Sequence, residues 1–123
     1  MGPEQASILV VDDDPGILHS ARMFLKQLFT SVNITGDPQI MMELLLEGSI
    51  DVVLLDMKFS RGEIDGKEGI GLLQKILEVD PNLPVILITA YGDFDLAVRA
   101  IKVGAYDFLV KPWKNQQLHA SIL

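Results

Sequence analysis

Ile8-Leu9-Val10-Val11 is an unbroken apolar run that stops abruptly at Asp12-Asp13-Asp14. Short runs without polar alternation suit strands covered on both faces, as in parallel sheets. Pro15 then fits the first turn of a helix, with Asp14 placed to cap it. Ile17, Leu18, Ala21, Phe24, Leu25 and Leu28 follow at helical spacing. The unit recurs along the chain. Val32–Thr35 reads as a short strand, and Asp37-Pro38 opens a helix carrying Ile40, Met41, Leu44 and Leu45 that closes near Gly48. Ile50–Leu55 is a second strongly buried strand, and it too ends on a carboxylate, Asp56. A polar, Gly-rich stretch from Lys58 to Gly69 precedes a helix from about Ile70 to Val79, which Asp80-Pro81-Asn82 breaks. Val85–Ile88 is the next strand, ending at Thr89-Ala90. Gly92-Asp93 starts a helix through Ala97, Ala100, Ile101 and Val103, with Gly104 just past its end. Tyr106–Val110 is the last strand, Lys111-Pro112 follows, and a final helix begins near Asn115.

Five strands alternating with five helices predict an α/β fold: a parallel sheet covered on both faces and joined by right-handed crossovers. In such doubly wound sheets, ligands bind outside the carboxyl ends of the strands, where the winding direction reverses. The final helix reaches Leu123 after about two turns, shorter than surface helices usually run, so the chain reads as cut there. Residues 1–6 read as a disordered or cloning-derived leader and residues 7–123 as one domain, any output domain being absent from this chain.

Composition narrows the function. Hydrophobic residues make up 49% and charged residues 22%, ordinary for a soluble globular domain. With no cysteine there is no disulfide framework, thiolate metal site or cysteine nucleophile, which agrees with a reducing cytoplasm. A formal charge of -7, with ten Lys and Arg residues scattered along the chain, argues against direct nucleic-acid binding by this domain. The apolar runs fall far short of the roughly 20 residues a membrane-spanning helix needs. The first residues have neither the basic nor the apolar region of a signal peptide.

The strand ends carry the chemistry. The first strand delivers Asp12, Asp13 and Asp14, the third Asp56, the fourth Thr89 and the fifth Lys111. Packed carboxylates repel and require protons, a cation or a lysine. Magnesium suits one or two carboxylates with waters and a phosphate. A carboxylate beside such an ion can attack phosphorus and become an acyl phosphate, with Lys111 and the Thr89 hydroxyl available to the phosphoryl oxygens. Each residue alone has a plainer reading: a strand-end aspartate as a helix cap, Thr89 as a strand-end residue and Lys111 as a solvated charge. Asp14 keeps the plainer reading, as a cap. It is the conjunction on four strands that points to phosphoryl transfer.

With these residues in place, the chain resembles the CheY-like receiver domain of bacterial two-component response regulators over essentially its whole length. The resemblance rests on Ile8–Asp14, Asp51–Asp56, Pro84–Gly92 and Gly104–Trp113. It implies a flavodoxin-like sheet of order 2-1-3-4-5 and a cytoplasmic signalling protein rather than an enzyme acting on a separate substrate. Asp56 would accept the phosphoryl group from a histidine kinase. Magnesium would bind Asp13 directly and Asp12 through water, with Asp56 and the main-chain carbonyl of Lys58 completing the ligands. Thr89 and Lys111 would sense the phosphate, and Phe108 would be the aromatic that turns inward when the threonine moves. Lys58 and Tyr91 match positions that tune the phosphoryl lifetime, and the Lys111-Pro112 bond is usually cis in the family. By composition alone Phe108 is equally a core strand residue. Tyr106, at alternate spacing, shares its face and reads as packing with it. His19 and His119 read as helix-surface or packing residues.

The last third, from Thr89-Ala90-Tyr91-Gly92 through Ile101, resembles receivers of sigma-54-dependent (NtrC-type) transcriptional activators. That implies an attached AAA+ ATPase and helix-turn-helix, a homodimer on phosphorylation, and a switching surface formed by the fourth helix, fifth strand and fifth helix. One segment departs from the family pattern. After Asp56 the usual Met-Pro is absent, and the loop Lys58–Gly69 is longer by roughly five residues. It reads either as a tolerated surface insertion or as a lid that slows hydrolysis of the acyl phosphate. Two rival functions were open to the same residues. An aspartyl-nucleophile phosphatase needs a second acid two residues past the nucleophile, where this chain has Lys58. A phosphorylation-independent, receiver-like interaction module would have lost one of the acidic or lysine positions, and none is lost.

Overall fold

The apolar runs become the inner strands of one parallel sheet. The computed structural model describes residues 4–56, 67–89 and 94–110. The elements are β1 (Glu4–Val11), α1 (Pro15–Leu25), β2 (Phe29–Thr35), α2 (Pro38–Leu46), β3 (Val52–Asp56), α3 (Lys67–Val79), β4 (Val85–Thr89), α4 (Phe94–Val103) and β5 (Asp107–Val110). All neighbouring strands are parallel, in the order β2-β1-β3-β4-β5. This is the α/β fold and strand order expected.

Period-two alternation divides the inner strands between two cores. Leu9, Val11, Val53, Leu55, Val85 and Leu87 face α2, α3 and α4, packing with Met41, Leu45, Leu73, Ile76 and Ala100. Ile8, Val10, Leu54, Ile86 and Ile88 face α1, packing with Leu18, Ala21 and Leu25. Both sets of strand residues are fully or almost fully buried, so neither face tolerates a polar position. The chain steps outward from β1 to β2, then back across β1 to β3. Its winding therefore reverses between β1 and β3.

Two helices begin as their sequences direct. Asp14 caps α1, its Oδ1 accepting from the Gly16 amide at 2.8 Å, with Pro15 next in line. Asp37 and Pro38 repeat the device at α2, Asp37 Oδ1 accepting from the Gln39 amide at 2.9 Å. Gly104 ends α4 at φ +133, a conformation other residues rarely adopt, and a Cβ there would stand 2.8 Å from Leu77 Cδ1 on α3. Its amide donates back to the Ala100 and Ile101 carbonyls.

Several boundaries differ from the sequence reading. Glu4–Ala6, expected within a leader over residues 1–6, extend β1, and residues 1–3 lie outside the described residues. Glu4 pairs with Phe29 and Ser7 with Ser31, across an irregularity in register. Helix α1 stops at Leu25 rather than running to Leu28, and β2 begins at Phe29, whose side chain is buried in the α1-side core. That long-range packing is invisible to helical periodicity. Asp51 leaves the third strand to exchange hydrogen bonds with Ser7: its amide donates to the Ser7 carbonyl and its Oδ2 accepts from the Ser7 amide, each at 2.8 Å. Asp56, conversely, belongs to β3. Lys67, Glu68 and Gly69, read as loop, form the first turn of α3. Tyr106 precedes β5 and is 67% exposed, so it does not pack beside Phe108. The fifth helix, expected from Asn115, lies outside the described residues, as does the rest of the long loop after Asp56.

Candidate functional site

Parallel strands bring their carboxyl ends to one edge, and pairing register sets how far each residue reaches along it. Val11 pairs with Leu55, so the residues that follow, Asp12 and Asp56, leave the sheet side by side at the reversal in winding. Asp56 pairs with Ile88 and Thr89 with Val110, so Thr89 stands one step beyond Asp56 on the neighbouring strand.

The consequence is a tight acidic group. One carboxylate oxygen from each of Asp12, Asp13 and Asp56 lies within 4.8 Å of the other two. Asp12 has no exposed surface, Asp56 is buried, and Asp13 is half-buried. Two unit charges at 4.8 Å repel by about 3 kcal/mol at an effective dielectric near 20. Three ionised carboxylates this close demand a counter-charge. Their all-oxygen donor set fits a small, hard divalent cation, which pairs such oxygens with water and phosphate.

The main chain holds the group in place. Asp12 Oδ1 accepts from the Asp14 amide at 3.0 Å, and the Asp12 amide donates to the Thr35 carbonyl at 3.2 Å. Asp14 itself is exposed and acts as the cap of α1. Thr35 is buried, and its Oγ1 accepts from the Asp37 amide at 3.0 Å. Gly36 lies so close that a Cβ there would stand 3.2 Å from the Asp12 carbonyl oxygen. Sequence reasoning did not single out Thr35 or Gly36. The available signal was a hydroxyl ending the second strand, on the same edge as the aspartates and beside a Gly-Asp-Pro turn.

Of the other expected site residues, Thr89 is the last residue of β4, at the same edge. Phe108 lies on β5 opposite Leu87, half-buried against the core on the α2–α4 side, and its amide donates to Asp107 Oδ1 at 2.8 Å. Lys58, Tyr91, Lys111 and Pro112 lie outside the described residues, as does His119. His19 is exposed on α1. Among the described residues, no helix is long and apolar enough to cross a membrane.

Comparison with known proteins agrees with this geometry. The profile of the response regulator receiver domain matches residues 8–123. A putative NtrX-like response regulator of Rickettsia felis is 34% identical over 114 residues, covering 93% of this chain and 23% of that protein. The C4-dicarboxylate transport transcriptional regulatory protein DctD of Pseudomonas aeruginosa is 36% identical over 118 residues, covering 96% of this chain and 24% of its own. The chain thus spans about a quarter of the length of the curated relatives it matches. Among solved structures, the N-terminal signal receiver domain of a two-component response regulator from Bacteroides fragilis superposes with a TM-score of 0.87 at 42% identity, covering 97% of this chain and 94% of that one. The receiver domain of NtrX from Brucella abortus superposes with a TM-score of 0.83 at 32% identity, covering 93% and 92%.

Proposed function

The chain belongs to the response regulator receiver domain family, and from that premise we propose that Asp56 is its phosphoacceptor. The observation that carries the proposal is the acidic group: Asp56 lies at the reversal in winding with Asp12 and Asp13 carboxylate oxygens within 4.8 Å. An Asp56 oxygen attacks the phosphorus of a phosphohistidine on a sensor kinase. The P–N bond breaks, the imidazole leaves with a proton, and a mixed anhydride forms on Asp56. Asp12, Asp13 and Asp56, with the main-chain carbonyl of Lys58, are the ligands we assign to magnesium, Asp12 through water. When bound, that ion neutralises charge on the phosphoryl oxygens.

Thr89 and Lys111 bind the phosphoryl oxygens once they arrive, and Phe108 follows Thr89 inward. Lys58 and Tyr91 adjust how readily water reaches the anhydride, and Pro112 aims Lys111 at the site. These steps shift an existing equilibrium of the surface made by α4, β5 and the helix expected after residue 113. That surface then dimerises or releases an attached output domain. The relative named as the transcriptional regulatory protein DctD supports an output in transcription, and the output domain we assign is an ATPase module with a helix-turn-helix. In this reading the receiver unit, expected over residues 7–123 and begun by β1 at Glu4, belongs to a cytoplasmic regulator, and DNA contact belongs to the output domain.

The test is incubation with magnesium and acetyl phosphate, followed by Phos-tag electrophoresis, or with beryllofluoride, followed by Trp113 fluorescence. Modification of the wild type and none of Asp56→Asn is the expected result. An unmodified wild type would favour a phosphorylation-independent interaction module. Equal labelling of Asp56→Asn would move the acceptor elsewhere, and multiple turnover on small phosphate esters would make the protein a phosphatase.

A further inference from the structure

Among the described residues, three polar or charged side chains are buried: Asp12 at 0% exposure, Asp56 at 4% and Thr35 at 7%. The two aspartates belong to the acidic group. Thr35 brings no carboxylate to it, yet bears the cost of burying a hydroxyl. Its bonds show what that hydroxyl holds. Thr35 Oγ1 accepts from the Asp37 amide at 3.0 Å and donates to the Asp37 carbonyl at 3.4 Å, closing the turn onto the residue that caps α2. The Thr35 carbonyl meanwhile accepts from the Asp12 amide at 3.2 Å. One residue therefore ties the end of β1 to the start of α2.

Gly36 completes the arrangement from above. A Cβ at Gly36 would lie 3.2 Å from the Asp12 carbonyl oxygen and 3.7 Å from the Asp13 Cα. The Asp12 main chain is thus drawn toward Thr35 by a hydrogen bond, and its carbonyl keeps its place only because residue 36 has no Cβ to press on it. It has little room to yield, because Ile8–Val11 behind it are fully buried between two strands. Asp37 grips the turn at its far end, so the turn cannot easily swing away either.

We propose that Thr35, with the Gly36 turn it anchors, is a positioning element that sets the height of the Asp12-Asp13 main chain and thereby the divalent-cation affinity of the acidic group. The inference rests on the metal reading of that group. Magnesium demands near-ideal octahedral geometry, so a shift of a few tenths of an ångström in two ligand-bearing residues is felt at the ion. Residues behind the direct ligands of other metal sites typically control about 10–100-fold of affinity.

Three variants test it: Thr35→Val, which keeps the shape and removes the hydroxyl; Thr35→Ser, which restores the hydroxyl; and Gly36→Ala, which presses on Asp12 from the other side. Each is titrated with magnesium chloride by intrinsic fluorescence and melted in EDTA and in magnesium. Thr35→Val and Gly36→Ala are expected to weaken magnesium binding by about tenfold or more, with the magnesium-induced rise in Tm shrinking to match. Thr35→Ser should return to within about twofold of the wild type, as expected where the hydroxyl bond itself does the positioning. A purely structural role would lower both melting points equally and leave the magnesium-induced rise intact, which overturns the proposal. Binding by Thr35→Ser as weak as by Thr35→Val overturns it as well. Should Thr35→Val fail to fold, Gly36→Ala decides alone: unchanged affinity rejects the positioning role. A wild type that binds no magnesium overturns the metal reading, and this inference with it.

Discussion

Replacing Asp12 by asparagine should stabilise the metal-free protein, although it alters a fully buried residue at the end of a central strand. Asparagine keeps the size of the side chain and an Oδ1 able to accept from the Asp14 amide, a bond of 3.0 Å in the wild type. What disappears is one negative charge within 4.8 Å of two others. Each lost pair is worth about 3 kcal/mol at an effective dielectric near 20, so two pairs approach 7 kcal/mol. The wild type does not carry that whole burden, because solvent at the half-buried Asp13 and the other polar neighbours of these carboxylates screen the pairs. The relief expected in EDTA is therefore about 1–4 kcal/mol, which for a chain of this size raises Tm by roughly 4–15 °C. Magnesium should reverse the order of the two proteins. At a hundredfold excess over its Kd a bound ion adds about 2.7 kcal/mol to the wild type, and Asp12→Asn should lose most of that gain. Melting curves by circular dichroism, with EDTA and with a magnesium series, measure both effects. An Asp12→Asn protein that melts below the wild type in EDTA would refute the electrostatic reasoning. One that keeps the full magnesium-induced rise would remove Asp12 from the cation site.

Two further substitutions probe the frame around the site. Gly104→Ala should destabilise the fold by about 1–3 kcal/mol, because φ +133 is a conformation reserved almost wholly for glycine. Chemical denaturation measures this, and a stability equal to wild type would show that the end of α4 relaxes freely. Asp14→Ala should cost about 0.5–2 kcal/mol through loss of the α1 cap. It should leave the magnesium-induced Tm rise unchanged, since the Asp14 amide that serves Asp12 belongs to the main chain. A diminished rise would make Asp14 part of the cation site.

Much of this molecule could be read without coordinates where local pattern and global packing agree. Ile8–Val11, Val52–Leu55 and Val85–Ile88 are apolar without interruption because both sheet faces are covered, and the carboxyl-end rule then placed Asp12, Asp13 and Asp56 together. Asp14-Pro15 and Asp37-Pro38 were legible because capping is settled within a few residues. What escaped notice depends on distant partners. Leu28 continues a helical spacing on paper, yet α1 ends at Leu25 and Phe29 enters β2, where the core on the α1 side receives it. Glu4–Ala6 look like an unremarkable start until β2 offers them a ladder. Thr35 looked like an ordinary strand end, since nothing local reveals that its carbonyl would meet the Asp12 amide. Tyr106 alternates correctly with Phe108, but the strand begins one residue after it and leaves the ring in solvent.

The pairing of β1 with β3 also bears on when the site comes into existence. Asp12 and Asp56 are 44 positions apart in the chain (56 minus 12), and α1, β2 and α2 must all be threaded between them before their strands can meet. Bringing together contacts of such separation carries a loop-closure entropy that the finished sheet must offset. A nascent or partly unfolded chain therefore holds the aspartates but not the constellation. On the proposed reading it is inert toward the kinase, and only molecules that have completed their central sheet compete for phosphoryl groups. On that same reading, chemical competence would follow from folding, and a damaged receiver would not intercept phosphoryl groups meant for intact ones.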